Sequence, residues 1–254
     1  MNLFTEFISE LQAITLLFWR AVKGLRKRPR YLAEIITQMD QIGVGSFAII
    51  SLTGFFTGGV IILQSYATLA YYGAQSNAGQ GVATGLIREL GPVLAALMVA
   101  GRVGSAISAE LGSMVVSQQI DAMRALGTDP VRKLVAPRMF ALLISLPLLT
   151  VLADCMGIVG GWVTAVALYS VQSSVFISAV RDAITTDDLI GGIVKPLVFS
   201  IIIGAIACRQ GLNTEGGTVG VGQSTTRAVV TASIIVIIAD YFLAKALQVI
   251  LGTS

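Results

Sequence analysis

The chain has 254 residues, of which 55% are hydrophobic and only 12% are charged, and its formal net charge is +3. A soluble domain carries about 25% charged residues, so this composition excludes an ordinary soluble protein and predicts an integral membrane protein. The sequence contains no histidine, and its two cysteines lack zinc-type spacing. No basic patch is interleaved with aromatic residues. We therefore expect no catalytic residue, no metal site and no nucleic-acid partner.

Residues 1–30 predict an amphipathic helix followed by a basic segment. Five apolar residues share one helical face: Leu3, Phe7, Leu11, Ile14 and Phe18. This pattern is typical of a helix that lies in the membrane interface. Six Lys or Arg residues follow between Arg20 and Arg30, whereas a secretory signal places its positive charge before the apolar run. A helix packed on the protein itself would show the same apolar face.

Five apolar stretches are long enough to cross a hydrocarbon core of ~30 Å at ~1.5 Å per residue. They cover residues 42–63, 86–108, 139–168, 189–208 and 228–251. In the first of them, Gly54 and Gly58 form a GxxxG pair, which indicates either close helix packing or a chance match in a glycine-rich chain. The stretches 169–188 and 209–227 are expected to be loops.

The distribution of Lys and Arg predicts the orientation of the spans. With the N-terminus inside, six such residues lie in the N-terminal segment, four in the loop after the second span and two in the loop after the fourth, against Arg181 alone outside. The sequence thus predicts an all-α membrane protein, a single domain over residues 1–254. Its N-terminus would be cytoplasmic and its C-terminus periplasmic.

The longest polar interruption, residues 110–138, is predicted to lie in the cytoplasm and to form a helix, a tight turn and a second helix. An amphipathic coupling helix is expected over residues 113–126, where Asp121 and Arg124 can pair at i,i+3. Six residues of this interruption are candidates for contact with a cytoplasmic partner: Glu110, Ile120, Asp121, Met123, Arg124 and Asp129.

The turn that follows this helix has its own signals. Gly127 predicts a C-terminal stop for the coupling helix. Asp129 can cap the next helix, with Pro130 at the first helical position, where the missing N–H costs nothing.

Charged residues inside the spans are the main candidates for function, because each costs roughly 2.5–3.5 kcal/mol at a helix centre on insertion scales. Counted from the outer helix ends, most lie in or near the outer half of the membrane. Arg88 and Lys195 could attract a lipid phosphate, while Glu89 and Asp240 orient or release them. Ion pairs that only stabilise helix packing explain the same charges equally well.

Three apolar residues near the outer end of the first span fall within about 80° on a helical wheel: Ile61, Leu69 and Tyr72. They could form a wall for acyl chains, although core or lipid-facing residues show the same spacing. The chain has no GxxxxGK[ST] motif, so it would not bind ATP by that route.

Several motifs resemble those of MlaE/YrbE-type permeases, and the likeness covers essentially the whole chain. The motifs are RELGP at 88–92, AGRVGSA at 100–106, AELG at 109–112, DAMRALGTDP at 121–130, PR at 137–138, SLPLLT at 145–150 and TTRAVV at 225–230. Members of this family are the membrane subunits of ABC systems that move phospholipid between the inner and outer membranes of Gram-negative bacteria.

The resemblance implies a homodimeric, multi-pass permease of the bacterial inner membrane that maintains outer-membrane lipid asymmetry. The implied partners are an MlaF-like ATPase that binds ATP and Mg, an MlaB-like STAS protein on that ATPase, an MlaD-like MCE ring outside, and phospholipid. No cofactor is implied in this chain. By similarity, four residues match the family's intramembrane polar positions, Arg88, Glu89, Lys195 and Asp240, and three match pocket-lining positions, Ile61, Leu69 and Tyr72.

Two other functions are compatible with the residues alone. The first is an ion- or proton-coupled secondary transporter with Glu89, Lys195 and Asp240 as a relay. Five spans give no inverted repeat, which argues against it. The second is a membrane scaffold that needs neither ATP nor lipid.

Overall fold

In the computed structural model, Gln12, Trp19 and residues 31–251 are described, Leu251 by its backbone alone. The predicted interfacial helix over residues 1–30 therefore lies outside the described residues, except for Gln12 and Trp19, which are both helical. Within residues 31–251 every regular element is a helix. The predicted all-α class is confirmed.

Among the described residues, five helices are long and apolar enough to cross a membrane, in agreement with the predicted number of spans. They are α1 (Leu32–Tyr71), α2 (Gln75–Val116), α4 (Val131–Tyr169), α6 (Thr186–Leu212) and α7 (Gly217–Leu251). Two short helices lie between them, α3 (Gln119–Ala125) and α5 (Ser173–Ala183). Each long helix extends beyond the apolar stretch that predicted it, because hydropathy marks the hydrocarbon-spanning part of a helix and not its ends.

The short helix α3 differs from the predicted coupling helix of residues 113–126. Residues 113–116 form the last turn of α2, where the Ser117 hydroxyl donates to the Ser113 carbonyl at 2.8 Å. Gln118 then adopts a left-handed backbone with φ +59, and α3 begins only at Gln119. Helical periodicity continues through this break, so the spacing of apolar residues did not reveal it.

The end of α3 and the start of α4 follow the predicted signals. Gly127 has φ +71, a conformation that glycine adopts without a steric penalty, and it ends α3. The backbone N–H of Val131 donates to the Asp129 carboxylate at 3.0 Å. Pro130 has helical backbone angles immediately before the first residue of α4. The predicted stop and cap are thus confirmed.

Both predicted loops contain helical structure. Helix α5 occupies most of the stretch 169–188, and its length of 11 residues is too short to stand out by hydropathy. The stretch 209–227 contains only a short turn at residues 213–216. There Gly216 and Gly217 have φ +85 and +69. The remaining glycines are helical, because tertiary context overrides a weak intrinsic propensity.

Two compact units can be described separately. The first contains the described residues up to Val44, together with Val99–Ser145 and Val198–Ile238. Within it α2 and α6 approach closely, since a side chain at Gly211 would meet the backbone of Ser108.

The second unit contains Gly45–Met98, Leu146–Leu197 and the described residues from Ala239 onwards. Here α1 and α4 are in backbone contact, because a Cβ atom at Gly54 or Gly58 would overlap the backbone of Ala153 or Gly157. The GxxxG pair therefore serves close helix packing, one of the two alternatives that the sequence left open. A hydrophobic cluster lies beside this crossing and consists of Ile62, Ala78, Val82, Leu86, Ala165 and Phe176.

Candidate functional site

Lys195 of α6 lies at the centre of a charged cluster within the second unit. Its side chain is only 2% exposed, and its Nζ donates to Glu89 Oε2 at 2.6 Å and to the Arg88 carbonyl at 2.7 Å. Asp240 Oδ1 lies 3.1 Å from the same nitrogen. That oxygen accepts no well-aligned hydrogen bond from the described residues, so its attraction to Lys195 is electrostatic. Three oxygens thus surround the buried ammonium group.

The local sequence explains why the Arg88 carbonyl can accept this bond. In an α-helix the carbonyl of residue 88 would accept from the N–H of residue 92, but residue 92 is proline, which has no N–H. The helix forms a π-helical turn here, over Leu86–Leu90. Such turns are frequent at functional sites. Lys195 supplies the donor that Pro92 cannot.

Arg88 makes the second ion pair of the cluster. Its Nε lies 2.5 Å from Oδ1 of Asp188, at the start of α6. The side chain of Arg88 is 46% exposed, whereas that of Asp188 is 6% exposed. The cluster therefore combines two cations with three carboxylates.

A cleft of about 70 Å³ opens beside these ion pairs. Arg88 and the half-exposed Glu89 reach its surface, whereas Lys195 is enclosed. The residues that line it come from α2, α6 and α7: Arg88, Glu89, Asp187, Asp188, Gly191, Lys195, Ala244, Leu247 and Gln248. Opposite charges therefore lie side by side at the surface of the cleft, on otherwise apolar helices.

The structure brings the four predicted polar residues together but places the three predicted apolar residues elsewhere. Ile61 and Leu69 are partly buried against the hydrophobic cluster of the second unit. Tyr72 lies in the turn after α1 and is 75% exposed. None of the three lines the cleft beside Arg88. Their contact with acyl chains stays a prediction.

Sequence reasoning missed Asp188, although a signal was present. Thr185 and Asp188 form a T-x-x-D pattern immediately before an apolar run, which resembles a helix capping box. In the structure the Asp188 N–H donates to Thr185 Oγ1 at 3.3 Å, and the Thr185 N–H donates to Asp188 Oδ2 at 3.0 Å. This cap places a carboxylate at the start of α6.

Two further span charges lie apart from this cluster. Asp154 in α4 is 8% exposed, and its Oδ1 lies so close to Gly91 that a Cβ atom there would overlap it. This oxygen accepts no hydrogen bond from the described residues. Lys245 is exposed on α7 and does not line the cleft.

The first unit carries the residues predicted to contact a cytoplasmic partner. On α3, Ile120 is buried, and Asp121 pairs with Arg124 at 3.0 Å as predicted, with side chains 71% and 63% exposed. Leu126, which was not a candidate, is 82% exposed just after α3. A single exposed leucine is common on protein surfaces, so contact of this surface with a partner stays a prediction.

Glu110 is engaged within the chain. Its Oε1 lies 2.7 Å from Arg138 Nη2, and Arg138 is only 5% exposed. Arg138 Nη1 also donates to the Leu134 carbonyl at 2.8 Å. This ion pair joins α2 to α4 and so ties together the two ends of the segment that carries α3.

The family model described as "Permease MlaE" matches residues 35–246 of the chain. The chain belongs to the MlaE permease family. Like other members, it is a multi-pass membrane permease subunit. Among its MlaE-type relatives is a probable ABC transporter permease protein of Rickettsia felis, 39% identical over 94% of this chain and 93% of the relative.

Two further relatives carry more specific names. The intermembrane phospholipid transport system permease protein MlaE of Haemophilus influenzae is 36% identical over 94% of this chain and 92% of its own length. The chloroplastic protein TRIGALACTOSYLDIACYLGLYCEROL 1 of Arabidopsis thaliana is 33% identical over 95% of this chain and 69% of its own length. The MlaE resemblance predicted from the motifs is confirmed.

Proposed function

We propose that this permease moves phospholipid between the inner and outer membranes of a Gram-negative bacterium and so maintains the lipid asymmetry of the outer membrane. It would reside in the inner membrane. The observation that carries the proposal is the cleft in which Arg88 and Glu89 meet the surface of otherwise apolar helices. The Haemophilus influenzae relative, named for intermembrane phospholipid transport, supports the same substrate.

The lipid phosphate would bind Arg88. A guanidinium group forms charge-assisted hydrogen bonds with phosphate and can do so with two N–H groups at once. Lys195 is less available, because three oxygens already surround its ammonium group and its side chain is 2% exposed. Its role would be to hold Glu89 and Asp240 beside the phosphate site.

The acyl chains would need a second surface. Sites that enclose a drug-sized ligand have volumes of about 300–1,000 Å³, whereas the cleft within one chain has about 70 Å³. One chain thus offers room for a polar group and not for a two-chain lipid. We propose a homodimer in which the lipid lies between two copies, with Ile61, Leu69 and Tyr72 along the chains.

Energy would come from separate subunits. A cytoplasmic MlaF-like ATPase would bind ATP and Mg and carry an MlaB-like STAS protein, and an MlaD-like MCE ring would receive or deliver lipid outside. The ATPase would dock on α3 and on the exposed side chains of Asp121, Arg124 and Leu126. Ile120 is buried and would anchor α3 to the permease.

Photo-crosslinking tests the lipid-binding part directly. A photoreactive amino acid at Leu69 or Tyr72, in the transporter complex purified in detergent, should yield phospholipid adducts. The same substitution at Phe47, an exposed residue of α1 in the same unit, should yield far fewer once free lipid is removed. Adduct yields at Leu69 and Tyr72 no higher than at Phe47 would remove the proposed site.

A further inference from the structure

Asp188 is held in place by its own helix. Its Oδ2 accepts hydrogen bonds from the Thr185 N–H at 3.0 Å and from the Thr185 hydroxyl at 2.8 Å. Its N–H donates back to Thr185 Oγ1 at 3.3 Å. Such a reciprocal cap satisfies backbone donors at the start of α6, so the position of this carboxylate does not depend on Arg88.

The other oxygen of the same carboxylate faces Arg88. Oδ1 of Asp188 lies 2.5 Å from Nε of Arg88, within a site where Asp188 is 6% exposed. An arginine has five N–H groups, one on Nε and four on the two terminal nitrogens. The Asp188 contact uses the Nε group, and the half-exposed Arg88 side chain lines the cleft. The Asp188 carboxylate thus occupies the Nε side of the Arg88 guanidinium group.

Because Asp188 contacts Nε, the terminal N–H groups of Arg88 are the ones that can contact a ligand in the cleft. Ordering a free arginine side chain costs conformational entropy, and a partner that orders it beforehand lowers the cost of binding. A functional group is held best when its own side chain is fixed by a hydrogen-bonded neighbour. Asp188, itself fixed by Thr185, is such a neighbour for Arg88.

We propose that Asp188 is a positioning residue that holds Arg88 by Nε so that the terminal N–H groups bind the phosphate of a lipid in the cleft. The inference rests on the proposed function, since it assigns Arg88 a phosphate ligand. The capping role alone predicts no preference for phosphate. A carboxylate that merely competed with the ligand would weaken phosphate binding, which is the opposite effect.

Two matched variants separate these roles. Asp188→Asn keeps an oxygen that can accept from Thr185, as the neutral glutamine at N3 of a capping box does, but it removes the charge that faces Arg88. Asp187→Asn makes the same charge change one residue earlier in the same cleft. Asp187 forms no ion pair with any residue in the described part of the chain.

The experiment measures how long the complete transporter retains lipid. The complex is loaded with labelled phosphatidylglycerol or with diacylglycerol of the same acyl chains, and the dissociation half-time is followed in detergent. Asp188→Asn should shorten the half-time of phosphatidylglycerol roughly three- to tenfold, a change of about 0.7–1.4 kcal/mol, and leave diacylglycerol unchanged. In Asp187→Asn, which removes a negative charge from the same cleft without breaking an ion pair, neither half-time should shorten. In an Arg88→Gln background, Asp188→Asn should have no further effect.

Three results would overturn the inference while the wild type retains phosphatidylglycerol. The first is a phosphatidylglycerol half-time in Asp188→Asn equal to that in Asp187→Asn. The second is a phosphatidylglycerol half-time in Asp188→Asn longer than in the wild type. The third is an equal shortening for diacylglycerol, which would leave Asp188 with only its helix-capping role. A wild-type complex that retains no phosphatidylglycerol would overturn the proposed function and this inference with it.

Discussion

The ion pairs of the buried Lys195 and the exposed pair on α3 place the same chemical groups in opposite environments. Lys195 is 2% exposed and is surrounded by Glu89, Asp240 and a backbone carbonyl. The side chains of Asp121 and Arg124 are 71% and 63% exposed. Exposed pairs contribute about 0–1 kcal/mol to stability. Breaking a buried pair costs roughly 3–5 kcal/mol, because it strands a charge.

From this difference we expect the charges around Lys195 to be structural and those of α3 to serve recognition. The charges of α3 hardly matter for folding, so they are available to recognise a partner. The Lys195 charge cannot change without a cost to the fold. The pair between Glu110 and Arg138, one exposed and one buried side chain, lies between these extremes. Substitutions at the three sites should therefore have graded effects on stability.

The largest effect is expected at Lys195. Lys195→Met keeps most of the side-chain volume but leaves the carboxylates of Glu89 and Asp240 without their cation. We expect a loss of about 3–5 kcal/mol, measured as a large drop in the thermal unfolding temperature of the purified chain in detergent. Lys245→Met makes the same change at an exposed position of α7 and should leave that temperature nearly unchanged.

A triple variant tests whether the loss of stability comes from the unpaired carboxylates. Adding Glu89→Gln and Asp240→Asn to Lys195→Met removes the stranded charges and should recover part of the stability. Equal unfolding temperatures for Lys195→Met and Lys245→Met would contradict the buried cluster.

An intermediate effect is expected at Glu110. Glu110→Gln removes the negative charge that Arg138 contacts at 2.7 Å, while Arg138 keeps its bond to the Leu134 carbonyl. We expect a loss of about 1–2 kcal/mol, measured by the same unfolding assay. Glu34→Gln provides the control, since Glu34 is exposed in the first turn of α1. A decrease in unfolding temperature no larger than that of Glu34→Gln would refute a stabilising role of the ion pair between Glu110 and Arg138.

The smallest effect on stability is expected on α3. Exchanging Asp121 and Arg124, by Asp121→Arg with Arg124→Asp, keeps an i,i+3 pair on the surface but places each charge at the unfavourable end of α3, so we expect a loss of stability of about 1 kcal/mol at most. The reversed charges should nevertheless weaken ATPase binding and uncouple ATP hydrolysis from lipid transport in the reconstituted complex. Intact coupling in this variant would speak against docking on α3.

A separate variant tests the apolar part of the same surface. Leu126 is 82% exposed, so Leu126→Ala should leave the unfolding temperature unchanged. Loss of a buried leucine contact at an interface should weaken ATPase binding by about tenfold or more, measured by titration of the ATPase. Binding unaffected by this change would place Leu126 outside the interface.

Much of the fold follows from local signals in the sequence. Apolar stretches of membrane-spanning length located the five spans, and glycine, aspartate and proline at 127, 129 and 130 located the turn after α3. The break at Gln118 was not predictable, because glutamine is not among the residues that favour a positive φ. Helix α5 was missed because its amphipathic pattern covers only 11 residues.

The candidate site was predicted in part. The cost of charge inside a span identified Arg88, Glu89, Lys195 and Asp240, which the structure brings together. Their pairing could not be predicted, because it depends on how α2, α6 and α7 pack. Asp188 was overlooked because it precedes the predicted fourth span and so carried no insertion cost.

The most direct test of the central claim is the amount of phospholipid bound to the purified transporter complex, measured by native mass spectrometry for the wild type and for Arg88→Gln. This substitution removes the exposed cation of the cleft and leaves Lys195 with its three oxygen neighbours. We predict bound phospholipid in the wild type and a clear loss in the assembled Arg88→Gln complex. Because Asp188 then lacks its cation, the unfolding temperature of this variant should also fall, and adding Asp188→Asn should recover stability but not the bound lipid. Equal lipid occupancy in the two complexes would contradict a phosphate site at Arg88.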